Sequence, residues 1–171
     1  MIVMMAGLPG TGKSTLARAL AERVNGTVLD KDKIRPALFP LADIEFSTEQ
    51  DDFCMEVMLQ TAGYLLRKDP ARYVFLDGRP FSRRSQLERV IEYSKGLDQH
   101  WRIIECVCSE ETARTRIESQ EHPAANRDFA LYLRVKARFE EIRFPKIVVD
   151  TERPLGDCVE SAMKGPLCRD A

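Results

Sequence analysis

Two glycines, a lysine and a serine near the start of the chain have the spacing G-x-x-x-x-G-K-[ST], from Gly7 to Ser14. Glycines let the backbone curl so tightly that several N–H groups can converge on one phosphate. The apolar run 2–6 precedes the motif, and a helical pattern over 16–20 follows it. Since a strand, a glycine-rich turn and a helix form the context that confirms a P-loop, the segment predicts a site for nucleotide phosphates.

Each residue type in this loop suits one part of a nucleoside triphosphate. Lys13 has the reach for the β- and γ-phosphates, and the Ser14 hydroxyl is placed to hold Mg²⁺. Thr15 either contacts the α-phosphate or faces the core, and the sequence leaves both interpretations open. The predicted nucleotide-binding residues of the loop are Gly10, Thr11, Gly12, Lys13, Ser14 and Thr15.

The composition is that of one soluble globular domain. The chain has 171 residues, 44% of them hydrophobic and 31% charged, with a formal net charge of -1. This length predicts a single domain over 1–171 with one core, and the charge balance means that a nucleic acid would have to bind at a local patch. No stretch reaches the length of a membrane span, and the apolar N terminus runs directly into the P-loop, so we expect no membrane association.

The cysteines indicate a reducing compartment. There are five of them, an odd number without a C-x-x-C pair, so we expect free thiols, no zinc site and a cytoplasmic location. Cys106 and Cys108 alternate along a predicted strand, which would place both side chains on one buried face.

Short β-rich runs alternate with helical patterns along the rest of the chain. Strands are predicted over 27–29, 72–76, 101–107 and 146–149, and helices over 48–68, 83–95, 110–119, 128–143 and 155–164. In the first of these helices the apolar spacing predicts a buried face that includes Phe53. The alternation indicates an α/β fold with a parallel sheet, in which ligands bind beyond the carboxyl ends of the strands.

Two aspartates and an arginine follow the second predicted strand. A kinase must orient a hydroxyl in line with the γ-phosphate and accept its proton, and we assign that role of general base to Asp32. Arg35, three residues later, would bind an acidic or phosphorylated part of the acceptor. The alternatives are that Asp30 or Asp32 only caps a helix beginning near Lys33, and that Arg35 is a solvated helix charge.

The third predicted strand ends in Asp77, as a Walker B strand does. Asp77 could hold Mg²⁺ through water or contact the acceptor, although Asp, Gly and Pro are also common in turns. Of a small basic cluster here, Arg79 is predicted to face the cleft, and the alternative for Arg83 and Arg84 is that they only begin the next helix.

A lid is expected after the fourth strand, over about 114–128. Arginines on a closing lid stabilise charge on the transferred phosphoryl group, and the predicted candidates are Arg114 and Arg127, followed by Arg116. Solvated helix arginines are the alternative. After the last strand, Thr151 and Arg153 are predicted to flank the adenine.

These motifs together resemble the P-loop kinases grouped with zeta toxins, chloramphenicol phosphotransferase and the kinase domain of polynucleotide kinases. The similarity runs from the P-loop through Asp32-x-x-Arg35 and Asp77 to Asp150 and Thr151. It implies a five-stranded parallel sheet in the order 2-3-1-4-5, ATP or GTP as donor with Mg²⁺, and Asp32 as the general base. In polynucleotide kinases of this group the matching arginine contacts an acceptor phosphate, which supports the role given to Arg35.

Three functions from different classes follow as hypotheses. The first is an ATP-dependent kinase of a small-molecule hydroxyl, such as that of a nucleoside, sugar or antibiotic. The second is a kinase of 5′-hydroxyl RNA or DNA ends, favoured by Arg35 and the arginines after the third strand. The third is a nucleotide-binding switch without turnover, which has no need of a base such as Asp32. The sequence leaves the acceptor and the oligomeric state open.

Overall fold

The computed structural model describes residues 1–119 and 128–164. Within these ranges the strands are β1 (Ile2–Ala6), β2 (Thr27–Asp30), β3 (Val74–Asp77), β4 (Trp101–Val107) and β5 (Ile147–Asp150). They form one parallel sheet in the order β2-β3-β1-β4-β5. The predicted P-loop kinase fold with strand order 2-3-1-4-5 is therefore confirmed.

Seven α-helices flank the sheet in the described part of the chain. They are α1 (Lys13–Val24), α2 (Lys31–Leu38), α3 (Thr48–Lys68), α4 (Arg84–Gly96), α5 (Glu110–Ser119), α6 (Phe129–Lys136) and α7 (Leu155–Met163). A short 3-10 helix, Leu41–Asp43, lies between α2 and α3. No helix in these ranges is both long enough and apolar enough to span a bilayer.

The central strand β1 is buried on both faces, because helices cover both sides of the sheet. Ile2 and Met4 pack in one cluster with side chains of α3 and α4. Val3 and Met5 point the other way and pack with α1 and α7. This two-sided core holds the carboxyl end of β1, and with it the start of the P-loop, at the centre of the sheet edge.

Two predictions about helices need correction. The predicted helix over 128–143 ends at Lys136, because the chain beyond it packs against the rest of the molecule: the Glu140 N–H donates to the Ser82 carbonyl at 2.9 Å, and Ile142 is buried. In α3 the predicted core residue Phe53 is 55% exposed and instead meets the ring of Phe39.

The two cysteines predicted to share a strand face are also separated. Cys106 lies in β4 and belongs to the core between α1 and α7. Cys108 lies beyond the end of β4 and packs with a small cluster formed by α5 and α6. β4 ends at Val107, so the alternation of side chains along the strand includes Cys106 but not Cys108.

Candidate active site

The P-loop is held by backbone geometry that only glycine accommodates. Gly7 and Gly10 have φ values of 129° and 80°, in the left-handed region. A Cβ on Gly7 would lie 2.3 Å from the Cys106 carbonyl oxygen, and one on Gly10 would lie 2.7 Å from the Ala113 carbonyl oxygen. The loop therefore passes in contact with β4 and α5, and it needs glycine at both points.

α1 begins at this loop, and the first N–H groups of a helix have no partner within the helix itself. Its N-cap is Gly12, so no side chain caps the helix. The Lys13 ammonium donates to the Leu8 carbonyl at 2.7 Å, which keeps the charge at the loop. The N–H groups of a helix start, the positive end of the helix dipole and a lysine form an anion site suited to a polyphosphate.

One cleft of about 580 Å³ connects the loop to four other parts of the fold. Its walls come from the P-loop, the start of α2, Phe46 and Asp51 at the start of α3, Leu131 and Val135 of α6, and the turn after β5. Five of the six predicted loop residues line it: Gly10, Gly12, Lys13, Ser14 and Thr15. The sixth, Thr11, is buried behind the loop, where its hydroxyl donates to the Leu8 carbonyl at 2.8 Å.

The helix cap after β2 is Asp30, not Asp32. The Asp30 carboxylate accepts from the Asp32 backbone N–H at 3.0 Å, so α2 begins at Lys31. This leaves the Asp32 side chain on the first turn of α2, lining the cleft beside Lys13 and Ser14. Burial raises the pKa of Asp32 above its usual value, and the nearby Lys31 and Arg35 partly oppose that shift. A buried carboxyl group with a raised pKa in such a cleft has the character of a general base.

Asp77 lies at the carboxyl end of β3 and is only 1% exposed. Neither of its carboxylate oxygens has a hydrogen-bond partner among the described residues. Asp77 and Ser14 line the same small cavity of about 180 Å³ next to the main cleft. An unpartnered buried carboxylate beside a hydroxyl fits Mg²⁺, which is held by one or two protein oxygens together with water and nucleotide phosphates.

The part of the cleft formed by the starts of α2 and α3 contains a cluster of charges. Asp51, on the first turn of α3, accepts from Lys31 at 2.7 Å and also pairs with the guanidinium of Arg35. Lys31 also lies 3.7 Å from the Asp32 carboxylate. The Arg35 guanidinium stacks over the Phe46 ring, 5.0 Å from its centroid. Arg35 is thus a buried cleft residue rather than a solvated helix charge, and it is bound to Asp51.

Arg79 is not part of this cleft, in contrast to the prediction. It is buried at the edge of a separate small cleft of about 210 Å³, where its guanidinium donates to Asp52 at 2.6 Å. The reason is the direction of the chain after Asp77, since Gly78 adopts a left-handed φ of 84° and the following residue lies under α3. Arg83 and Arg84 are exposed at the start of α4, as the alternative interpretation expected.

The lid arginines are distributed differently from the prediction. Arg116 lines the cleft and donates from Nη1 to the Thr151 hydroxyl at 3.0 Å and from Nη2 to the Thr151 carbonyl at 2.8 Å. Arg114 lies outside the cleft, 57% exposed, and stacks over Phe129 at 4.1 Å. Two residues on a helix differ by about 200° in direction, so only one of the pair can face inward. Arg127 lies outside the described residues.

The turn after β5 forms another wall of the cleft. The Thr151 hydroxyl lies 2.9 Å from the Thr11 carbonyl oxygen, to which it can donate, and thereby ties β5 to the P-loop. Arg153 also lines the cleft and pairs with Asp157 at 3.3 Å. Both residues predicted on the adenine side thus line the cleft, and Thr151 contacts the P-loop and Arg116.

A family comparison adds to this geometry. The model of a family described as "AAA domain" matches residues 2–142, which include the P-loop, Asp32 and Asp77. The chain belongs to the AAA-domain family. The match does not single out the group of zeta toxins, chloramphenicol phosphotransferase and polynucleotide kinases, so membership of that group stays a prediction. No curated protein sequence matches this AAA-domain protein significantly.

Several solved structures share its fold. A gluconokinase from Sinorhizobium meliloti 1021 is 20% identical with a TM-score of 0.65, covering 94% of this chain and 87% of its own. The APS kinase CysC of Mycobacterium tuberculosis, in complex with AMPPNP and APS, is 15% identical with a TM-score of 0.68, covering 95% and 94%. Chaetomium thermophilum Kti12 in complex with ADP-AlF3 is 14% identical with a TM-score of 0.68, covering 96% of each chain. These likenesses show that the AAA-domain protein has a P-loop kinase fold.

Several residues of the site have no functional signature in the sequence. They are Lys31, Asp51 and Phe46, the last in a segment without a clear pattern. One local signal was available, since Ser47 and Gln50 have the spacing of a helix start and Ser47 does cap α3. That signal places Asp51 on the first turn of α3. Its contact with Arg35, sixteen residues away, has no signature in the sequence.

Proposed function

We propose that this protein is an ATP- or GTP-dependent kinase that phosphorylates a hydroxyl group of a small molecule of the nucleoside, sugar or antibiotic type. The observation that carries the proposal is the position of Asp32. Its carboxyl group has a raised pKa and lines the same cleft as Lys13 and Ser14 of the P-loop. A protein that only binds nucleotide has no need of a base at this point.

The proposed reaction is an in-line displacement at the γ-phosphorus. The acceptor oxygen forms the new P–O bond while the bond to the β–γ bridging oxygen breaks, and the nucleoside diphosphate leaves with that electron pair. Asp32 takes the proton of the acceptor hydroxyl. Lys13 and the first N–H groups of α1 bind the phosphate oxygens, and Arg116 holds the nucleotide end of the cleft through Thr151.

Mg²⁺ is part of this proposal because Ser14 and Asp77 fit it. When bound with the nucleotide, it would neutralise charge on the β- and γ-phosphates. Ser14 and the buried Asp77 would hold it, the latter directly or through water. Asp30 lies next to Asp77 and contributes negative charge, which also favours a cation at this edge of the sheet.

The size of the cleft favours a small acceptor. Its volume of about 580 Å³ lies in the range of small-molecule sites. Solved structures with the same fold include a gluconokinase, a sugar kinase and an APS kinase, and we extend a small-molecule acceptor from these proteins to this chain as part of the proposal. The net charge of -1 also provides little general attraction for a nucleic acid.

The test measures release of nucleoside diphosphate from Mg²⁺-ATP or Mg²⁺-GTP with two pools of acceptors. One pool contains nucleosides, sugars, aminoglycosides and amphenicols, and the other contains 5′-hydroxyl RNA and DNA oligonucleotides. Acceptor-dependent turnover with the first pool supports the proposal. Turnover with the second pool alone, falling steeply with salt, would establish a nucleic-acid end kinase instead, and nucleotide binding without turnover in either pool would favour a switch.

A lysine pair provides the control. Lys13→Ala is expected to abolish turnover, because it removes the cation at the β- and γ-phosphates. Lys68→Ala removes a lysine of the same charge from the far end of α3, where the ammonium lies over the Tyr64 ring. That variant should retain wild-type turnover; a matching loss in both would show that the assay reports general damage.

A further inference from the structure

Under the proposed function, the acceptor end of the cleft is the part lined by Lys31, Asp32, Arg35, Phe46 and Asp51. The first turn of α3 shapes this part. Ser47 caps this helix, and Gln50 is buried and donates to the Asp43 carbonyl at 2.9 Å. Gln50 also accepts from the Glu45 N–H at 2.8 Å, so it holds the loop that leads to Phe46. The same turn therefore fixes both an aromatic wall and the carboxylate of Asp51.

Asp51 neutralises the two cations that would otherwise face an acceptor. Lys31 and Arg35 are 6% and 3% exposed, whereas the side chain of Asp51 is 27% exposed. One oxygen, Oδ1, accepts from both cations. Together with Asp32, the acceptor end thus carries two positive and two negative side chains within one contact network.

We propose that Asp51 determines the acceptor class by making this end of the cleft selective for uncharged polyhydroxyl molecules and against anionic ones. The inference deepens the proposed function and rests on it. It also differs from the sequence-based expectation that Arg35 binds an acidic or phosphorylated acceptor group. The guanidinium of Arg35 is already paired with a carboxylate of the protein, that of Asp51.

Desolvation explains the selectivity. A carboxylate or phosphate on the acceptor could reach Lys31 and Arg35 only by displacing Asp51, and it would then lie beside a repelling carboxylate in a partly buried site. A neutral polyol meets no such cost, because its hydroxyls can accept from the ammonium and donate to the free oxygen of Asp51. The Phe46 ring, 42% exposed, offers an apolar face to the carbon skeleton.

The test removes the charge of Asp51 and uses inorganic phosphate as the probe. The P-loop is first filled with saturating Mg²⁺-AMPPNP, so that phosphate cannot bind there, and phosphate is then titrated by calorimetry. Asp51→Asn is expected to bind phosphate at least about tenfold more tightly than the wild type, because charge-assisted hydrogen bonds to two cations become available. An unchanged affinity would overturn the proposal.

Glu49→Gln is the matched control, since it removes one negative charge from the same helical turn at an exposed position. It should leave the phosphate affinity at the wild-type value, and an equal gain in this variant would show a general charge effect and refute the assignment to Asp51. If Asp51→Asn does not fold, the acceptor preference of the wild type tests the proposal instead. A panel of neutral sugars and their carboxylated or phosphorylated congeners should give higher kcat/KM for the neutral members, and a preference for the anionic members would contradict the proposal.

The two proposals fail in different ways. The phosphate titration requires only a folded, nucleotide-bound protein, so it gives a result even when no acceptor is turned over. Absence of turnover with every acceptor would refute the proposed function. The titration would still show whether Asp51 keeps anions away from Lys31 and Arg35. Turnover with anionic acceptors alone would support a kinase and refute the role of Asp51.

Discussion

Asp77 lies directly opposite Asp30, as its register partner in the parallel pairing of β3 with β2. The two carboxylates end adjacent strands at the edge of the sheet that carries the P-loop. Burial, followed by the charge of Asp77, raises the pKa of Asp30. Such a like-charge pair is a cost to the folded protein that a bound cation would offset.

Asp77→Asn is therefore expected to stabilise the nucleotide-free protein by about 1–2 kcal/mol, because an amide can donate to Asp30 where a carboxylate repels it. Mg²⁺ is expected to raise the unfolding temperature of the ATP-bound wild type further, and the same variant should lose most of this further rise. Thermal unfolding with ATP, with and without Mg²⁺, measures both. Asp150→Asn, an exposed aspartate at the end of β5, is the control and should retain the Mg²⁺ effect. Retention of that effect in Asp77→Asn would exclude Asp77 from the metal site.

Asp32→Asn should separate turnover from binding. Removal of a general base lowers turnover by about 10²–10⁴-fold, while nucleotide affinity, which depends on the P-loop, should stay close to the wild-type value. Steady-state kinetics and nucleotide titration check the two parts. Near-normal turnover in the variant would show that the base is another group.

The pH dependence of Asp32 has a definite sign. The pKa of this carboxyl group is raised in the folded protein. Its contribution to the free energy of unfolding is therefore fully present at a pH below its usual pKa of 3.8, and it is lost as the pH rises through the raised pKa. Turnover of the wild type should rise over the same pH window, because the base must be ionised. At neutral pH Asp32→Asn should unfold at a higher temperature than the wild type, and the difference should shrink on acidification. A lower unfolding temperature at neutral pH would mean that the pairing with Lys31 outweighs burial.

Arg114 and Arg116 form an internal pair for testing the lid helix. Arg116→Ala removes the hydrogen bonds to Thr151, and we expect a loss of about 1–3 kcal/mol in stability and about tenfold in nucleotide affinity. Arg114→Ala removes an exposed contact with Phe129, which is worth about 1 kcal/mol or less, and should bind nucleotide normally. Chemical denaturation and nucleotide titration measure these effects. A large loss of turnover in Arg114→Ala would indicate that this arginine enters the cleft when substrates bind.

Gly7→Ala tests the close approach of the P-loop to β4. The added Cβ would lie 2.3 Å from the Cys106 carbonyl oxygen in a left-handed conformation, so we expect a loss of about 2–4 kcal/mol. Gly96→Ala, at the end of α4, has open space around the added Cβ and should be neutral or stabilising by up to about 1 kcal/mol. Urea unfolding of the two variants gives the comparison, and equal stabilities would mean that the P-loop can shift away from β4.

The sequence predicted elements with strong periodicity best. The limits of α3, α5, β1 and β4 agree with the prediction, and the limits of β2, β3 and β5 differ by one or two residues. The helix predicted over 128–143 was too long, because Phe139 and Ile142, three residues apart as on a helix face, pack with the core of the sheet as an irregular segment. Apolar spacing indicates that side chains are buried, but it does not say against which element.

At the site the sequence identified residues whose chemistry is local. Lys13 and Ser14 follow from the motif, and the two aspartates Asp32 and Asp77 follow from their position after strands. Whether Arg114 or Arg116 faces the cleft depends on the rotation of α5, which the sequence does not give. The separation of Arg79 from the cleft depends on the backbone turn at Gly78 and on the partner Asp52.

The sequence by itself determined the phosphate-binding loop, the alternation of strands and helices, and the carboxylates at the strand ends, because each arises from backbone geometry over a few neighbouring residues. Only the tertiary structure decided the charge balance where the starts of α2 and α3 line the cleft. That balance depends on Asp51 meeting Lys31 and Arg35 across the gap between α2 and α3. Contacts between residues so far apart are fixed by how the helices pack on the sheet, and they leave no periodic trace along the chain.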